Sequence, residues 1–176
     1  MKKNISIALL VASLLLMAFA VSRYQRDHMG TLLYEAYFDA TPANGYATQR
    51  SLAARNEDTD ASILRQGKLY HQQKDYDLAL MSLRAYLESN PEPDNDQVFL
   101  LAATAAMASG NYVEAEEYLQ QISKNDAKFG AAASWHMALL CLRKEDLRAA
   151  VWELRLLEQA GLDRLYPVKD ILAKLQ

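Results

Sequence analysis

Three histidines, one cysteine and the acidic pairs Glu116-Glu117 and Glu145-Asp146 are the residues whose types could do chemistry. His28, His71 and His136 are far apart in sequence and show no HExxH or comparable ligand spacing, so each is expected at the surface or in a groove, and no metal is implied. Cys141 is the single cysteine, which rules out an intramolecular disulfide and a Cys-rich metal site. It lies in an apolar helical run, where a small buried hydrophobe competes with a reactive thiol as its reading. Glu116-Glu117 and Glu145-Asp146 look like solvated helix faces or caps. There is no glycine-rich phosphate loop and no GxSxG elbow. No enzyme, catalytic residue or cofactor is expected.

The elements that position these side chains are helical. Residues 60–93 read as a helix, a tight turn at Lys74-Asp75, and a second helix stopped by Pro91. Asp60 is the expected N-cap of the first helix, and Ile63, Gly67 and Tyr70 share one face. Gly67 costs about 1 kcal/mol against Ala in a helix, so a neighbouring helix is expected to pass too close for a side chain. The second helix carries Ala79, Leu80, Leu83, Tyr86 and Leu87 at helical period. Shifting this stretch by 36 residues lays Asn111-Tyr112 on Asp75-Tyr76, Ala115 on Ala79 and Leu119 on Leu83. A further shift of 35 lays Asp146-Leu147 on Asn111-Tyr112 and Leu154 on Leu119. Asn111 and Glu114 form a capping-box-like start after a turn at Gly110. The helix over 131–143 is apolar around much of its circumference, so it should be largely enclosed. Gly161 suits the left-handed end of a helix, and a short helix over 166–175 closes the array.

Ahead of the repeats, Lys2 and Lys3 precede an apolar run over residues 5–21, broken only by Ser6 and Ser13. It reads as an export signal with two open fates. Ala18-Phe19-Ala20 has the form of a cleavage site, whereas about 17 residues at helical rise would span roughly 25 Å, the short end of a membrane helix. Over 31–39, TLLYEAYFD makes a short aromatic helix that must be covered. Tyr34, Tyr37 and Phe38 either cap the first repeat or occupy a partner's groove. Pro42 and Asn44-Gly45 break it, a further turn is possible over 50–55, and the acidic run over 56–60 suits a linker. Nineteen basic residues against 22 acidic ones, without a basic stripe, make nucleic acid a poor partner.

The small–large order of Gly67, Tyr70, Ala79, Leu83, Tyr86 and Pro91 resembles the tetratricopeptide repeat, a unit of about 34 residues. The resemblance implies an all-α solenoid of about three helical hairpins, over 60–93, 96–129 and 131–164, with a cap over 166–176. Together they form a domain over 60–176, behind a connection over 22–59 and the segment over 1–21. It also implies a concave groove lined by the first helix of each hairpin. By this resemblance the lining is Leu64, Lys68, His71 and Gln72, then Leu100, Thr104 and Met107, then Trp135, Leu139, Leu142 and Arg143, with ordinary packing between repeats as the alternative for each. The whole order, from apolar segment through LLYEAYF to a Trp in the third repeat, is similar to small bacterial envelope proteins of this kind, whose segment is usually an uncleaved anchor. The implied function is a non-enzymatic scaffold or adaptor outside the cytoplasmic membrane that binds a partner protein or peptide. The alternatives are a periplasmic holdase using Leu100, Met107 and Trp135, or a regulatory protein whose segment 32–38 closes its own groove.

Overall fold

The structure, a computed structural model, describes residues 2–40, 59–93, 95–123, 126 and 129–175, with side chains from residue 14 onward. The turn expected over 41–45, the extra helical turn over 50–55 and most of the acidic linker lie outside the described residues. Among the described residues there are nine helices and no strand. They are α1 (Lys2–Asp27), α2 (Met29–Tyr37), α3 (Thr59–Gln72), α4 (Tyr76–Ser89), α5 (Gln97–Ala108), α6 (Tyr112–Gln121), α7 (Gly130–Arg143), α8 (Leu147–Gln159) and α9 (Val168–Lys174).

Three antiparallel hairpins, α3–α4, α5–α6 and α7–α8, stack in chain order, and α9 covers the last. Their turns share one construction. Lys74 (φ 63), Gly110 (φ 78) and Glu145 (φ 58) take left-handed backbone. The next N–H then reaches back into the finished helix: Asp75 to the Tyr70 carbonyl at 3.0 Å, Asn111 to Ala106 at 2.8 Å and Asp146 to Cys141 at 2.9 Å. This satisfies carbonyls that a helix end leaves without partners. Asp75 and Asp146 then accept from Leu78 N and Ala149 N, at 3.4 and 3.0 Å, to start the second helix. Asn111 makes no such side-chain bond, so the capping box expected there does not form. Glu114 turns instead to Arg84, at 2.9 and 2.7 Å, and to the Tyr118 hydroxyl at 2.7 Å, because a bidentate guanidinium outcompetes one backbone donor. α8 ends at Gly161 (φ 70) with Leu162 N on the Leu157 carbonyl at 3.0 Å, the expected left-handed stop.

Two other local expectations were tested by packing. α3 begins at Thr59, so Asp60 lies in its first turn and not at its cap, where it accepts from Asn90 Nδ2 at 3.1 Å. At Gly67 an added Cβ would stand 3.0 Å from two atoms of Leu83, which shows the close approach inferred from the glycine. The core centres on α5, buried from Gln97 to Met107 without a break. Ala102, Ala103, Ala105 and Ala106 expose nothing there, since small side chains let helices close in from several directions.

α1 stands apart from this core. Leu14, Leu15, Leu16, Met17, Phe19 and Val21 are exposed. Among the described residues no helix is long and apolar enough to cross a membrane.

Candidate protein-interaction groove

α2 does not cap the first hairpin. It packs on α7, the first helix of the third, with its chain direction opposed, so that Gly30 meets the end of α7 and Phe38 its middle. Covering α7 answers its excess of apolar surface: Leu33 and Tyr34 are buried in the contact. Burial of two large side chains contributes about 3–6 kcal/mol before the cost of ordering the helix.

The start of α2 is held by a residue from another part of the chain. His28, at the N-cap position, makes no side-chain cap bond. Glu145 supplies it across the groove: Gly30 N donates to Oε2 at 2.9 Å, Thr31 N to Oε1 at 2.8 Å, and the Thr31 hydroxyl to Oε1 at 2.7 Å. A carboxylate at a helix N-terminus meets both free N–H donors and the positive end of the dipole. Burial opposes charge on Glu145, but the hydrogen bonds from Thr31 and Gly30 outweigh it and hold the carboxyl below its ordinary range. Gly30 is required at this contact, since a Cβ would lie 2.3 Å from the Leu142 carbonyl oxygen and 2.7 Å from Glu145 Oε2.

Aromatic contacts fix the rest of α2. The Tyr34 hydroxyl donates to the Met107 carbonyl at 3.3 Å, its ring stacks on Phe38 at 4.9 Å, and it meets Tyr112 edge-on at 6.1 Å. Burial, then the neighbouring Tyr112, pushes the Tyr34 phenol up, so it remains a donor. Arg143 Nε donates to the Tyr112 hydroxyl at 3.1 Å and its guanidinium carbon sits 5.1 Å from the centre of that ring. Phe38 meets His136 edge-on at 6.3 Å. At the exposed flank Lys174 of α9 donates to the Tyr37 hydroxyl at 2.8 Å.

The residues expected to line an open groove are therefore divided. Gln72 is exposed, and Leu64, Lys68 and Arg143 are half-buried. His71, Leu100, Thr104, Met107, Trp135, Leu139 and Leu142 are buried. His71 is not a surface residue: its Nε2 lies 2.8 Å from Thr104 Oγ1, whose own hydroxyl proton is directed to the Leu100 and Leu101 carbonyls at 3.0 and 3.1 Å. His136 is likewise interior. Burial brings both imidazoles down to about 4, so both are neutral at pH 7. Trp135 stacks on Tyr166 at 4.9 Å and serves the contact between the third hairpin and the C-terminal segment.

Sequence reasoning missed Tyr112 and Glu145 as groove residues, and Gly30 and Thr31 as the part of α2 that meets them. A signal existed for Glu145. Repeat alignment sets Glu145 on Gly110, and a glutamate where the turn favours glycine is a strained choice that invites a second role.

Another face of α7 opens on a cleft of about 820 Å³ between α6 and α8, bordered by Met137, Cys141 and Trp152. Its thiol is not activated. Burial first, and then Asp146, Glu153 and Glu116, push the Cys141 thiol up to about 11, so the unreactive protonated form prevails. Among the described residues no group of three or more His, Cys, Asp and Glu is placed to hold a metal.

The tetratricopeptide repeat family model matches residues 70–140, from the last turn of α3 into α7. No curated protein and no solved structure matches the chain. The match, with three stacked hairpins built on one turn geometry, supports a tetratricopeptide repeat protein.

Proposed function

We propose that the protein is a non-enzymatic protein-interaction scaffold of the bacterial cell envelope, with a concave groove that its own α2 occupies until a partner displaces it. Tetratricopeptide repeats generally mediate protein–protein interaction, which supports the class of function. The observation that carries the self-closed form is the seat of α2 on α7, capped by Glu145 and anchored by Tyr34. The holdase alternative needs Leu100, Met107 and Trp135 to meet unfolded clients, and their burial speaks against it. The envelope location rests on the charged start and apolar run over 2–21, retained as a tether in this reading. The exposed Leu14 to Leu16, Met17 and Phe19 are consistent with a segment whose cover is not the repeat domain.

Tyr34→Ala tests the self-closed groove. It removes the buried ring and the Met107 bond, so amide exchange over residues 29–37 should accelerate at least tenfold while α5 stays protected. Cross-linked partner capture in intact cells should rise in parallel. Unchanged exchange and unchanged capture would remove α2 from the groove's regulation. Membrane fractionation with intact mass tests the tether separately, and a mass lacking residues 1–20 would refute it.

A further inference from the structure

Resting on that reading, we infer that the groove recognises a short amphipathic helix by its N-terminal end, with Glu145 as a cap supplied to the incoming helix and Gly30 marking a position that admits only glycine. The partner is a helix that opens with Gly-Thr or Gly-Ser, carries Leu-Tyr one turn on, and has an aromatic residue four positions after that Tyr.

The groove is already seen with such a ligand in place, namely α2. Three donors converge on one carboxylate: two backbone N–H groups available only in the first turn of a helix, and a hydroxyl from Thr31. An extended peptide presents its N–H groups to alternate sides and cannot deliver consecutive ones to both oxygens together. The carboxylate also opposes an incoming acidic C-terminus, so the charge selects a helix start. Size selection follows from the 2.3 Å between a Cβ built at Gly30 and the Leu142 backbone oxygen. That oxygen belongs to the end of α7 and cannot rotate away as a side chain would. One turn on, the Met107 carbonyl accepts the Tyr34 hydroxyl, and the Tyr112 ring and Arg143 close around the phenol. Phe38, against His136, sets the length of the recognised segment at about two turns. Glu145 holds its place at a backbone cost: φ 58 is a conformation glycine would take more readily, as Gly110 does in the preceding turn.

The test uses the full chain with Gly30→Ala, which bars α2 while leaving every residue of the groove unchanged, and a synthetic peptide of residues 28–40 with its natural Gly30. Exchange over 29–37 should rise in the variant, and the peptide should bind it at least tenfold more tightly than it binds the wild type, where α2 competes. A peptide carrying Gly30→Ala should bind at least tenfold more weakly, as should the natural peptide to Gly30→Ala/Glu145→Gln. If residues 29–37 stay protected in Gly30→Ala, the self-closed reading itself fails. If they are released but the peptide does not bind, or binds regardless of its glycine and of Glu145, recognition of a helix start is overturned while self-closure survives. A second measurement does not depend on the Gly30 variant folding. In Glu145→Gln alone, exchange at the Gly30 and Thr31 amides should accelerate about tenfold with α7 unaffected, and unaltered exchange at those two amides overturns the role of Glu145.

Discussion

Lowering the pH from 7 to 5 should destabilise this protein through His71 and His136. Both imidazoles sit in the interior, the first bonded to Thr104 and edge-on to Tyr76 at 5.3 Å, the second beneath Phe38. Burial holds each near 4 against an ordinary value of 6.5; Asp39 pulls His136 the other way, without prevailing. The native state therefore keeps both neutral in a range where the unfolded chain takes up protons. Their contribution is complete above about pH 6.5 and is lost as the pH falls from there toward about 4. At pH 5 the unfolded imidazole is almost fully protonated and the folded one almost none, a difference of about 2 kcal/mol for each histidine and about 4 kcal/mol for both. Against a typical total of about 5–15 kcal/mol that is a large fraction. Urea melts at pH 7, 6 and 5, followed by circular dichroism, read the loss as a falling midpoint at constant slope. His71→Gln/His136→Gln should flatten the dependence between pH 7 and 5. Equal midpoints at pH 7 and 5, or imidazole proton resonances of the folded protein that titrate near 6.5, would refute the reasoning.

Lys74 and Glu145, the non-glycine residues with left-handed backbone among the described residues, should respond oppositely to glycine. Lys74→Gly relieves a strained conformation and should stabilise by about 0.5–1 kcal/mol in thermal melts. Glu145→Gly should show no such gain, because the three hydrogen bonds to α2 disappear with the side chain. Gly67→Val should destabilise by about 1–3 kcal/mol, since even its Cβ meets Leu83 at 3.0 Å; a neutral result in a urea melt would mean that α3 and α4 can separate freely. Cys141 in the folded protein should alkylate far more slowly than a free thiol at pH 8, with full reactivity restored in denaturant, as a thiol pushed up to about 11 holds almost no thiolate there.

Period and turn chemistry made the hairpins legible before any coordinates. The apolar spacing of Ala79, Leu83 and Leu87 specifies one face of one helix, and the left-handed positions at 74, 110 and 145 recur because every first helix must end the same way before an Asp or Asn. Gly67 announced a close crossing because only a neighbour's approach explains a glycine within a helix. The sequence even showed that α7 is apolar around much of its circumference, and so should be largely enclosed.

What covers α7 was decided by tertiary structure. Periodicity identifies a buried face and is silent on its occupant, and α2 reaches its seat through contacts separated by 73 residues at Met107 and 115 at Glu145. Met107 and Leu142 are not open because α2 lies against both, whereas His71 is closed in by Thr104 and Tyr76 of the repeats themselves. Glu145 read as a solvated helix face or a cap with no partner named, because its donors, two backbone N–H groups and the Thr31 hydroxyl, come from the distant start of α2. The sequence alone determined the helices and where they turn, since those follow from interactions within a few residues. Only the folded array could set one helix across the others, since that choice depends on shape and free hydrogen-bond donors brought together from distant parts of the chain.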